Sequence, residues 1–206
     1  MGYHRAGFEV VGVDIEPRPR YPFRFIQADA LSLPNFFLAS FDAIHASPPC
    51  QFHTAMKSMH NAKQHIDLIE PTRALLVGSG VPWIMENVVG APLEDPILLC
   101  GTMFGLGVDG AELQRHRVFE TSFPILLHPQ CQHSKGRTIG IYGEGCRDSR
   151  RKFDKSIPEF TVVQGRAAME CPWMTTAELS QAIPPAYTEF LGRHLIAHLS
   201  QQRPAA

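Results

Sequence analysis

Three kinds of reactive side chain follow one another along this chain in an order that suits one type of chemistry. Cys50 stands in Ser47-Pro48-Pro49-Cys50-Gln51, directly after the apolar run Phe41 to Ala46. A cysteine at the mouth of a buried strand, with two prolines fixing the approach, reads as a positioned nucleophile. The next buried run, Val81-Pro82-Trp83-Ile84-Met85, ends in Glu86-Asn87-Val88 and so brings a carboxyl group to the end of a second strand. Gln114-Arg115-His116-Arg117 follows. Thiol, carboxyl and paired arginines are the parts needed to attack an electron-poor ring and hold its polar edge. A free thiol has a pKa near ~8.5, so only a small fraction is thiolate at neutral pH unless the site assists it.

In that order these residues resemble the DNA (cytosine-5) methyltransferase family. Pro49-Cys50-Gln51 looks like its Pro-Cys nucleophile motif, Glu86-Asn87-Val88 like its Glu-Asn-Val motif, and Arg115-His116-Arg117 like its Arg-x-Arg motif. Val11 to Glu16 resembles the family's second strand with its acidic tip, Gln27-Ala28-Asp29-Ala30 the acidic turn after the third, and Ala182 to Tyr187 the closing motif. The resemblance runs nearly end to end, but the family's first strand and Gly-rich turn have no counterpart. The chain opens on Met1 to Phe8, which resembles the helix just after that turn.

The resemblance implies an enzyme that transfers a methyl group from S-adenosyl-L-methionine to C5 of a cytosine in double-stranded DNA, of a restriction-modification or phage type. Cys50 would add to C6 of the ring. Glu86 would donate a proton or hydrogen bond at N3 and the exocyclic amine, Arg117 would hold O2, and Arg115 would support the catalytic loop. The target base would be flipped out of the duplex. Pro49, Gln51 and Asn87 would lie beside it, and the segment from Phe52 to Asn61 would close over it. Asp14 and Ile15 would take the ribose and adenine of the cofactor, with Asp29, Ala30 and Pro48 completing its site. Without the Gly-rich turn the chain as it stands is expected to hold the cofactor weakly.

The elements that must position these groups are also legible. Phe8 to Asp14, Arg24 to Gln27, Phe41 to Ala46 and Trp83 to Val88 are short apolar runs, as in a parallel sheet covered on both faces. The segment Asn61 to Val77 has partly helical spacing, with Pro71 expected to kink or split it. As a right-handed crossover it would deliver Cys50 and Glu86 to one sheet edge, where ligands of open α/β sheets bind. These runs point to an α/β fold, and the resemblance implies a Rossmann-like methyltransferase sheet with a short inserted recognition region. The expected domains are an N-terminally incomplete catalytic and cofactor-binding core over 1–120, a target-recognition region over 121–166, and a segment over 167–206 that returns to the core. Thr175-Thr176-Ala177-Glu178 reads as a helix start, Pro184-Pro185 opens the last helix, and Tyr187, Phe190, Leu191, Leu195 and Leu199 share its buried face.

At 206 residues and 44% hydrophobic content the chain can bury one sizeable core. No apolar run approaches the ~20 residues of a membrane-spanning helix, and no basic segment precedes an apolar stretch at the N-terminus. Five scattered cysteines suggest a reducing, cytoplasmic setting. A net charge of −1 excludes a protein coated in positive charge. DNA contact must come from a local patch. Between Lys135 and Lys155 seven basic residues face three acids, and Arg150, Arg151 and Lys152 are the expected phosphate contacts. His128, Cys131, His133 and Cys146 offer donors that suit zinc, in a spacing that fits no standard finger.

Two other readings remain open at this point. One is a catalytically inactive homologue that binds DNA or a partner. The other is an enzyme that modifies free cytosine nucleotides, since enzymes of the thymidylate synthase kind also use a Pro-Cys nucleophile.

Overall fold

The computed structural model describes residues 1–49, 67–143 and 145–202. Helix α1 (Gly2–Ala6) leads into β1 (Val11–Asp14), which pairs in parallel with β2 (Arg24–Gln27). After the short helix α2 (Asn35–Leu38), β3 (Ile44–Ala46) connects through α3 (Ile69–Ser79) to β4 (Trp83–Asn87). Six further strands follow: β5 (Ile97–Leu99), β6 (Gly107–Val108), β7 (Ala111–Leu113), β8 (Arg117–Thr121), β9 (Thr138–Tyr142) and β10 (Gly145–Asp148). Helices α4 (Val162–Met169), α5 (Thr176–Gln181) and α6 (Pro185–Gln202) follow. No described helix is long and apolar enough to cross a membrane.

Among the described residues the architecture is mixed α/β with three sheets. β1 and β2 form one, β3-β4-β8-β5 a second, and β10-β9-β7-β6 a third. The expectation of a parallel sheet holds for β1–β2 and β3–β4 but not beyond them. β8 runs antiparallel to both β4 and β5, with Glu86 opposite Phe119 and Leu99 opposite Arg117. The reversal arises because the chain leaves β5 to build β6 and β7 of the third sheet and then returns directly, with no crossover helix between β7 and β8. The third sheet thus recruits residues 107–113, upstream of the stretch read from sequence as a recognition region.

β4 is buried at all five positions, as a strand covered on both faces must be. One face meets a core that joins two sheets and α6: Ile84 and Phe119 cluster with Leu113, Ile139 and Ile141 and with Tyr187, Leu191 and Leu195. The other face packs on α3, where Ile69 and Leu76 meet Trp83 and Met85. Pro71 does not kink α3. It falls in the first helical turn, where a backbone N–H would have no intrahelical partner. α1 lies close against α6, and a Cβ at Gly2 would come within 2.1 Å of the Pro185 carbonyl and the Thr188 hydroxyl. Capping boxes start the helices before and after Pro172, Thr161 with Gln164 at α4 and Thr175 with Glu178 at α5.

Candidate active site

The parallel pairing of β3 with β4 places Ala46 opposite Met85, so both strands end at one edge. There the chain continues as Ser47-Pro48-Pro49 beside Glu86 and Asn87. Cys50 and Gln51, and the segment from Phe52 to Asn61, lie outside the described residues. Asn87 fixes the approach to them: its buried side-chain amide donates to the Pro48 carbonyl at 3.0 Å, and its oxygen accepts from Val88 N–H at 2.9 Å. Pro48 is itself buried, while Pro49 is exposed. Because β8 runs antiparallel, its first residue Arg117 starts at the edge where β4 ends. Its Nε sits 3.1 Å from Glu86 Oε1.

Glu86 is 8% exposed. Burial pushes its carboxyl above the ordinary carboxylate value, against the opposing pull of Arg117, a hydrogen bond with Ser47, and Arg115. Ser47 also contacts His45 Nε2 at 3.1 Å, and the other ring nitrogen of His45 lies 2.7 Å from the Tyr3 hydroxyl. Burial draws this imidazole down to about 4, so it is neutral at physiological pH. Tyr3 and His45 support the strand end that carries Ser47, a role with no signature in the sequence.

Arg115 is 6% exposed and sends its guanidinium to three backbone carbonyls: Ala182 at 3.0 Å, Ile141 at 3.1 Å and Ser180 at 2.7 Å. Tyr187 returns a hydrogen bond to the Arg115 carbonyl at 2.5 Å. These contacts make Arg115 a positioning residue. It ties the segment before β8 to β9, to the last turn of α5 and to Ala182 just after it, and so holds Arg117 in place.

Of the residues expected at the cofactor, Pro48 lies at this edge and the others lie elsewhere, at the end of β1 and after β2. Asp14 accepts from Glu16 N–H at 2.9 Å and from Arg18 Nε at 2.8 Å, and the neighbouring Ile15 is 65% exposed. An acid at a strand tip beside an exposed apolar side chain fits a ribose and its flat base. The Arg18 pair is a partly exposed ion pair, worth about 0–1 kcal/mol, and does not bar that use. Asp29 instead caps its own turn: one oxygen accepts from Leu31 N–H and the other from the Ser32 hydroxyl, with Ala30 the first residue of that turn.

The basic run is partly neutralised within the fold. Asp148 accepts from both Arg137 and Arg150, which hold its carboxyl well below the usual carboxylate range. Arg151 pairs with Glu159 at 3.2 Å and donates to the Ile157 carbonyl. Lys152 is exposed, as are Lys135, Arg147 and Lys155.

Of the four residues read as zinc donors, Cys131 and His133 come together, but not with the other two. Cys146 is buried in β10, packed where Gly165 of α4 leaves no room for a Cβ, and His128 lies beside the Pro129 carbonyl. Their neighbours are Cys100 and His116. Sequence spacing could not reveal this, because only the antiparallel pairing of β5 with β8 brings those two side by side.

No protein-family model matches the chain, and no curated protein is similar to it. Among solved structures, a triple mutant of DNMT2 from Spodoptera frugiperda is similar with a TM-score of 0.37 and 20% sequence identity, over 61% of this chain and 48% of that one. The chain therefore spans about half the length of that protein.

Proposed function

We propose that this chain is a cytosine-5 methyltransferase whose substrate is a cytosine flipped from double-stranded DNA. The observation that carries the reading is the meeting of Glu86, Arg117 and the Asn87-anchored Pro48-Pro49 segment at one sheet edge, immediately before Cys50. In this reading the Cys50 thiolate bonds to C6 of the ring, and C5 gains the electron density to take up a methyl group. Glu86 supplies a proton or hydrogen bond at N3 as charge builds there. Arg117 turns from Glu86 to the O2 carbonyl. Loss of the C5 proton and departure of the thiolate restore the ring. S-adenosyl-L-methionine, when bound, supplies the methyl group; Asp14 and Ile15 would hold its adenosine. Target recognition is assigned to the third sheet and the basic stretch after it.

Methyl transfer from labelled cofactor into duplex DNA, with free cytosine nucleotides as control, tests the proposal. Wild type should also form a covalent complex with DNA carrying 5-fluorocytosine, and Cys50→Ala should bind DNA without forming it. Transfer to free nucleotide alone, or trapping by both proteins, would overturn the assignment.

The engagement of both Asp29 oxygens by its own turn favours a second reading, a catalytically silent DNA-binding chain. DNA binding without cofactor binding in the same assays would select it.

A further inference from the structure

We propose that Cys100, His116, Cys131 and His133 form a structural zinc site that staples the irregular stretch after β8 to the segment carrying Arg117. One donor atom from each residue lies within 4.8 Å of all the others. The shorter edges of the cluster are His116 Nε2 to Cys131 Sγ at 3.3 Å, Cys100 Sγ to His133 Nε2 at 3.4 Å, and Cys131 Sγ to His133 Nε2 at 2.9 Å. Zinc–sulfur bonds of about 2.3 Å and zinc–nitrogen bonds of about 2.1 Å in a tetrahedron set such edges near ~3.6 Å. Small side-chain rotations reach that spacing. Two thiolates offset the charge of a divalent ion, and two cysteines with two histidines form a donor set that zinc prefers. All four positions are filled by protein, which marks a structural site without an open position. The Thr102 hydroxyl lies 3.4 Å from Cys100 Sγ, where it donates a hydrogen bond that steadies a thiolate.

The topology explains why a staple is needed there. Continuing the Leu99–Arg117 register by one residue sets Cys100 opposite His116, so two donors are preplaced by the sheet. The other two come from residues 122–137, a stretch with neither helix nor strand. Loops beyond about 12–15 residues without secondary structure are uncommon in compact domains unless something orders them. His116 lies between Arg115 and Arg117, so a metal bound here fixes the backbone that presents Arg117 to Glu86.

The test uses the full chain, purified with its thiols reduced. Elemental analysis should find about one zinc per chain. After removal of the metal by a chelator, Co2+ alone should give the visible bands of a tetrahedral ion together with a thiolate-to-metal band in the near ultraviolet. Cys131→Ser and His133→Ala sit on the irregular stretch rather than in the core, and each should weaken Co2+ binding by at least about 100-fold. His128→Ala should bind as wild type does. Substoichiometric zinc with no tetrahedral Co2+ spectrum would overturn the site. So would unchanged Co2+ affinity in both ligand variants, or a Cys100–Cys131 disulfide formed in preference to metal uptake.

Discussion

At Glu86 two forces oppose each other, and the balance between them sets its chemistry. Burial favours the neutral acid, while Arg117 at 3.1 Å favours the carboxylate. A group balanced in this way changes state when its partner moves. If Arg117 turns to a base carbonyl, the stabilising cation is withdrawn and Glu86 gains the proton that the proposed step requires. Glu86→Gln keeps the volume and a carbonyl to accept from Arg117 but cannot deliver a proton. It should lower turnover by about 100- to 1000-fold while leaving cofactor affinity within about twofold. Single-turnover methyl transfer and calorimetric titration measure the two quantities, and loss of cofactor affinity instead would place Glu86 outside the base pocket. The meeting of Glu86 with Arg117 was legible in the sequence because Glu86 ends a recognisable apolar run and Arg117 ends a short Arg-x-Arg motif. The partners of Arg115 were not, since its three carbonyls come from residues 26, 65 and 67 positions away.

Between elements, the crossover α3 is locked to β8 by a buried ion pair. Arg73 donates from Nε and Nη2 to the two oxygens of Glu120 at 2.9 and 2.8 Å, and Glu120 is 4% exposed. Arg73 also donates to Glu70 and to the Pro92 carbonyl, so Glu120→Ala leaves it partly paired and should destabilise by about 1–3 kcal/mol in urea unfolding. Arg73→Met combined with Glu120→Leu should recover much of that loss. The same pair shows where reading the sequence stops: Trp83 to Val88 announced β4 through its apolar run, but β8 has a buried Glu120 in its middle and carries no such signal. The segment after β10 shows the converse, a charge run whose neutralisation only the fold reveals. Arg150 and Arg151 are held by Asp148 and Glu159, so under the proposed reading the exposed Lys152 is the better candidate for a phosphate contact. Lys152→Ala should flatten the dependence of log DNA affinity on log salt by about 0.9 with an unchanged melting temperature. Arg151→Ala should lower the melting temperature. An unchanged slope in Lys152→Ala would move the DNA face elsewhere.

For the whole molecule, the question is what holds β1 and β2 to the body, since among the described residues their sheet joins neither of the others. The packing of α1 on α6 does part of this, and Arg20 after β1 reaches across to Glu178 on α5 at 2.9 Å. Glu178 also caps α5 through Thr175, and these contacts, Arg20 first, bring its carboxyl from an ordinary 4.5 down to about 2. The unfolded chain therefore takes up a proton that the folded one refuses, and stability present above pH 4.5 is lost as pH falls towards 2. His45 acts with the same sign in the window above. Its imidazole titrates at 6.5 when exposed and at about 4 in the fold, so stability is lost as pH falls from 6.5 towards 4. The two windows meet, and urea midpoints should decline continuously from pH 6.5 downwards. Salt separates the contributions. The Arg20 pair is partly exposed and screened, whereas the burial of His45 is not. High salt should therefore flatten the decline below pH 4.5 and leave the upper one intact. Glu178→Gln should reduce the lower window, and His45→Gln should flatten the upper. Asp148, also held low, adds to the lower window, so a lower window wholly unchanged in Glu178→Gln would show that the Arg20 pair does not hold β1 and β2.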